Sequence, residues 1–119
     1  MKAIFINTKD RTITEIEGEF SDYKEINKVL ESRYMTHALE LKGRDCVFVD
    51  DEGLLDETQD NFFYYEKGHQ PFAGHGIILG HDKKGNTADV KISLDEVKSK
   101  VKFMDRFDAY LWSMANQNM

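Results

Sequence analysis

Three Gly-His pairs recur six residues apart in the stretch GHQPFAGHGIILGH: Gly68-His69, Gly74-His75 and Gly80-His81. Imidazole is the commonest metal ligand, so the spacing raises a metal site first. If residues 72–80 form one strand, however, six residues span roughly 20 Å, while zinc–nitrogen bonds are only ~2.0–2.1 Å. Successive histidines along that strand cannot share an ion, and no other Cys or His stands at ligand spacing. Gly74-His75-Gly76 also begins like the phosphate-binding pattern G-x-G-x-x-G. Its third glycine falls one place late, at Gly80, and the segment ends a strand where a phosphate site needs a helix N-terminus. The expectation is therefore no bound metal and no cofactor. His75 is expected on the strand face of Ala73, Ile77 and Leu79, packed and hydrogen-bonded, while Gly74 and Gly76 leave room on the other face for a backbone or an aromatic ring.

Other residues could support acid–base or metal chemistry. Glu40-Leu41-Lys42 matches the E-x-K half of a metal-dependent nuclease pattern, in which a carboxylate holds Mg²⁺, but the partner aspartate on a preceding strand is missing. An EF-hand alignment that puts Gly53 at position 6 places Phe48 at position 1, so the first calcium ligand is absent. Counting outward from a Gly43-Arg44 type II′ turn pairs Leu41 with Cys46, Leu39 with Phe48 and His37 with Asp50. His37, Glu40, Asp50 and His75 are the residues on which a metal-dependent or small-ligand enzyme would have to draw, yet no nucleophile accompanies them.

Charge points elsewhere. Residues 1–60 carry 8 Lys/Arg against 15 Asp/Glu and residues 61–119 carry 8 against 7, so the halves are −7 and +1, summing to −6. The acidic half would repel phosphates, which argues against direct nucleic-acid binding. Its densest part, DDEGLLDETQD, presents Asp50, Asp51, Glu52, Asp56, Glu57 and Asp60. That row reads as a solvated loop, or as an acidic surface offered to a protein partner in the manner of a nucleic acid. The single cysteine, Cys46, excludes an intramolecular disulfide, reads as a small buried hydrophobe and suits a reducing compartment. No stretch approaches the ~20 apolar residues of a membrane span, so the expected location is the cytoplasm, without membrane partners.

The elements that would position these groups follow from periodicity. KAIFIN and RTITEIEG predict an N-terminal strand hairpin. Tyr23, Ile26 and Leu30 predict a short helix that Asp22 opens. Cys46–Val49 is apolar on both faces, as in an interior strand. NFFYYEKG predicts an extended segment, FAGHGIILG a strand and ADVKIS a last strand. Ser93-Leu94-Asp95-Glu96 is an S-x-x-E capping box opening a helix expected to run to about Ala115. The chain predicts one α+β domain over 1–119: a mainly antiparallel sheet of five to six strands with one short helix over 1–92, and a long C-terminal helix over 93–119.

On that helix, Leu94, Val97, Val101, Met104, Phe107, Leu111 and Met114 form a stripe that would dock on the sheet. Phe103 and Tyr110 fall on one side of it and Trp112 on the other, so a single packing face cannot bury all three. They are expected either to be covered by the NFFYY segment or to form an apolar patch for a homodimer or a foreign protein.

The segments MKAIFINTKDRTITEIEGEF, ALELKGRDCVFVDDEGLL and FAGHGIILGHDKKGNTADV, in that order, resemble a family of small domains of unknown function encoded by phages, plasmids and other mobile elements. The similarity spans roughly residues 1–92; NFFYYEKGHQ and the C-terminal helix depart from it. The family has no established catalytic residues, so the resemblance assigns none here. It implies an accessory protein in a bacterial host cell. The expected function is non-catalytic binding of a host or phage protein, as an inhibitor of a defence or regulatory factor, through the acidic surface and the Phe103, Tyr110 and Trp112 patch.

Overall fold

The computed structural model describes residues 1–116. Two antiparallel sheets and three helices stack in four layers. The larger sheet begins with the expected hairpin of β1 (Lys2–Asn7) and β2 (Thr12–Glu17). Helix α1 (Tyr23–Leu30) follows, capped by the Asp22 carboxylate, which accepts from the Lys24 N–H at 3.0 Å. Strands β3 (Met35–Glu40) and β4 (Cys46–Asp50) pair next, and β7 (Gly76–His81) completes the order β2-β1-β7-β4-β3. The smaller sheet is built from β5 (Phe62–Tyr65), β6 (Phe72–Ala73) and, from the C-terminal region, β9 (Val101–Met104), in the order β6-β5-β9.

Alternation decides which face each strand gives to which layer. Ala3, Ile77 and Leu79 meet Phe20, Ile26 and Leu30 beneath α1. Ile4, Ile6, Val47, Val49 and Ile78 point the other way, onto Phe63 and Tyr65 of the smaller sheet and onto Val97. Phe62 and Tyr64 then face outward to a third cluster. The four consecutive aromatics of β5 show no period because both faces of that strand are covered.

Four expectations are corrected. The stretch 72–80 is not one strand: at Gly74 the backbone turns left-handed (φ 81°), a conformation that glycine adopts without strain, and the chain passes from β6 in one sheet to β7 in the other. Beyond β7, β8 (Thr87–Ala88) is only two residues long, and ADVKIS does not continue as a strand. Instead the fully buried Asp45 carboxylate accepts the N–H groups of Lys91 (3.0 Å) and Ile92 (2.7 Å), taking them out of any ladder.

Asp45 also changes the β3–β4 register. Its carbonyl accepts from Leu41 N–H at 2.7 Å around a three-residue turn, Lys42–Arg44, so His37 lies opposite Phe48, Leu39 opposite Val47 and Glu40 opposite Cys46, with a bulge between His37 and Leu39. Asp50 pairs with Met35, not with His37.

The fourth correction matters most for function. Ser93 does open a helix, its hydroxyl accepting from Glu96 N–H at 3.2 Å, but that helix, α2 (Leu94–Lys100), is only seven residues long. Val101–Met104 is drawn into β9 by pairing with the aromatic strand β5, Phe103 opposite Phe63. A separate helix, α3 (Arg106–Asn116), then starts from a second cap: Asp105 accepts from Asp108 N–H at 2.8 Å. Residues 117–119 of the expected helical segment lie outside the described residues.

Candidate functional site

The break before α3 turns its apolar residues around. On the inward face, Ala109 is buried and Trp112 packs its ring against Tyr64, centroids 5.3 Å apart, on the outer side of the smaller sheet. Phe103 is half-buried in β9 against the main core. Two of the three aromatics singled out in the sequence are thus covered within the chain; Tyr110 is not. Phe107, Tyr110, Leu111 and Met114 stand at i, i+3, i+4 and i+7 on the outward face and are 49–65% exposed. Leu54 and Leu55, from a single turn of 3₁₀ helix at Gly53–Leu55, are 62% and 75% exposed. Leu54 joins Phe62, Pro71, Phe107 and Tyr110 in lining a cleft of about 690 Å³ between that turn and α3.

One uninterrupted helix would dock Phe107, Leu111 and Met114 on the sheet, in phase with Val97 and Met104. Those two are buried. The strand inserted between the helices destroys the phase. A sequence signal for the break exists in the D-x-x-D capping pattern of Asp105 and Asp108, preceded by β-prone Val101-Lys102-Phe103.

The acidic loop borders this cleft, and α3 holds it. The Arg106 guanidinium donates to the carbonyls of Gln59 (Nε, 2.8 Å) and Asp56 (Nη2, 2.8 Å) while lying over the Phe62 ring, 5.7 Å from its centroid. The Arg106 backbone N–H donates to the Asp60 carboxylate at 2.9 Å. Within the loop, Asp56 accepts the N–H and hydroxyl of Thr58 at 2.9 and 2.7 Å, and these bonds hold its carboxyl below the usual range. Asp50 accepts from Glu52 N–H at 2.9 Å. Asp51, Asp56, Glu57 and Asp60 remain exposed. Asp50 and Asp51 line a smaller cleft that shares Leu54 and Gln70 with the larger one. Arg106, which no reading of the sequence marked as functional, joins the acidic and apolar parts of the surface.

The residues of the enzymatic alternative are divided. His37 and Glu40 line a cleft with Cys46 and His81, whereas Asp50 and His75 line another with Glu31. His75 Nδ1 accepts from Thr8 N–H at 3.1 Å, which leaves the proton on Nε2, 3.3 Å from Glu31. Its ring meets Phe5 edge-on at 5.3 Å. Both nitrogens are engaged, so His75 is packed and hydrogen-bonded as expected, but it lies between β6 and β7 and not on a strand face shared by Ala73, Ile77 and Leu79, since Ala73 is buried in a different cluster from the other two. The expected close approach at glycine is found at Gly76, where a Cβ would lie 2.6 Å from the Phe63 ring. Cys46 is half-buried, and partial burial with Glu40 and Asp45 nearby pushes its thiol pKa up, away from thiolate chemistry. Among the described residues no three His, Cys, Asp or Glu are grouped so as to hold a metal ion, and no helix is long and apolar enough to cross a membrane.

No family model matches the chain, and no curated protein or solved structure matches it with significant similarity.

Proposed function

We propose that this chain is a non-catalytic binding protein that engages another protein through the outward face of α3 and the acidic loop beside it. The observation that carries this reading is the four-residue stripe Phe107, Tyr110, Leu111 and Met114, which a helix docked only on its own sheet would not leave in water. With Leu54 and Leu55 it makes an apolar patch on the order of 600 Å², at the upper end of what monomeric proteins expose. Asp51, Asp56 and Glu57 border it with charge, giving the apolar centre and polar edge of an interface. In the setting implied by the mobile-element resemblance, the partner is a host or phage protein in the bacterial cell, and occupation of its surface inhibits a defence or regulatory factor.

Quantitative affinity capture from a native host lysate tests this reading. Tyr110→Glu and Leu111→Glu should each lower recovery of the captured partner at least tenfold with an unchanged thermal midpoint. Equal recovery by both variants would refute it.

A further inference from the structure

We infer that the α3 surface takes a basic polypeptide segment, one that seats a large apolar side chain in the cleft between Leu54 and Tyr110 and sets Lys or Arg against the acidic loop. This inference rests on the proposed binding role of α3 and adds the chemistry of the occupant.

Extent favours a polypeptide over a small molecule. The cleft of about 690 Å³ is lined by Leu54, Phe62, Pro71, Phe107 and Tyr110, but the apolar surface continues beyond it to Leu55, Leu111 and Met114. From Phe107 to Met114 the helix rises roughly 10 Å at 1.5 Å per residue. A ligand that filled the cleft alone would leave Leu55, Leu111 and Met114 uncovered, whereas a peptide lying along α3 reaches beyond the cleft in the helix-in-groove manner.

Charge favours a basic segment over a second copy of this chain. Asp60 lines the cleft, Asp51 lines the smaller cleft that shares Leu54 with it, and Asp56 is tied to the cleft wall through Arg106; all three are exposed. The nearest cation, Arg106, already donates to two carbonyls of the loop and lies over Phe62. A symmetric dimer built on this face would set two copies of a chain of net charge −6 against each other, with both acidic loops at one interface. Lys or Arg from another polypeptide meets no such opposition.

Selection from a random 16-residue peptide library displayed on a surface, using the wild-type chain as bait and Tyr110→Glu as counter-bait, tests the inference. Selected peptides should share a large apolar position flanked by at least two Lys or Arg. They should bind Tyr110→Glu at least tenfold more weakly, and should also lose affinity with Asp51→Lys/Glu57→Lys or when salt rises from 50 to 500 mM. Both sites are exposed, and thermal melts verify that each variant is folded. Peptides that map to Tyr110 but are neutral or acidic would overturn the basic occupant while leaving α3 as a binding face. Failure to recover any Tyr110-dependent peptide would overturn both. Sedimentation showing a wild-type dimer that Tyr110→Glu converts to monomer would replace the foreign segment with a second copy.

Discussion

Replacing Arg106 with alanine isolates the link between α3 and the acidic loop, because the substitution keeps the backbone N–H that Asp60 accepts and removes only the guanidinium. Two side-chain bonds to the Gln59 and Asp56 carbonyls are lost, together with the contact over Phe62. Donors carrying charge are worth about 1.5–3 kcal/mol each when buried. These are in contact with solvent, so about 0.5–1 kcal/mol each is appropriate, and an exposed cation–π contact adds a further 0.5–1 kcal/mol or so. Freed arginine rotamers return part of this. The net loss is about 1–2 kcal/mol, or roughly 4–10 °C in thermal midpoint for a domain of this size. Because both broken hydrogen bonds end on the loop, the larger effect is local. Amide exchange at Thr58 and Gln59, whose N–H groups bond to Asp56, should accelerate roughly 5- to 30-fold, while exchange in β1 and β7 follows only the global change. Hydrogen exchange followed by mass spectrometry reads both regions at once. Unchanged exchange in residues 56–60, or acceleration spread evenly over the chain, would refute Arg106 as the clamp.

Gly76→Ala forces a methyl group to within 2.6 Å of the Phe63 ring and should cost about 1–3 kcal/mol by urea denaturation, with Phe63→Leu in the same chain restoring part of the loss. Asp45→Ala leaves the Lys91 and Ile92 N–H groups without an acceptor in a buried site and should cost about 2–4 kcal/mol, whereas Asp45→Asn retains one acceptor oxygen and should cost less. The Tyr65 phenol is buried, and that burial, reinforced by Glu96, Asp45 and Glu66, pushes its pKa up to about 12. The folded state therefore keeps a proton that the unfolded chain gives up near pH 10. Stability from this source is complete below pH 10 and is lost as pH rises toward about 12, so Tyr65→Phe should flatten the alkaline limb of a stability–pH curve and leave pH 7 stability unchanged or slightly raised.

Elements with one dominant local signal were legible in the sequence. The N-terminal hairpin, the Asp22 cap of α1, the interior position of β4 and the Ser93 cap of α2 each follow from period or capping chemistry that tertiary packing reinforces. What escaped depended on contacts between distant residues. The Asp45 carboxylate, which lies within an acidic half that reads as solvated, is buried by N–H groups nearly fifty positions away, and it resets the β3–β4 register. Val101–Met104 can serve a helix as well as a strand; pairing with β5 decides for the strand. That choice rotates Phe107, Leu111 and Met114 from the expected core to the surface. The acidic loop and Tyr110 were legible as interaction candidates, Phe103 and Trp112 prove to be covered, and Arg106 was hidden because its partners are backbone carbonyls, which carry no residue signature.

The most direct measurement of the central claim is the affinity of one identified partner, first captured by the wild-type chain, for Tyr110→Glu and for Asp51→Lys/Glu57→Lys, titrated side by side with melts of each variant. Both variants should melt within about 2 °C of wild type, since surface substitutions typically change stability by no more than ±0.5 kcal/mol. The α3 surface predicts a loss of at least tenfold for each, the second shrinking as salt rises. Wild-type affinity in both variants would contradict the account and place the partner on another face.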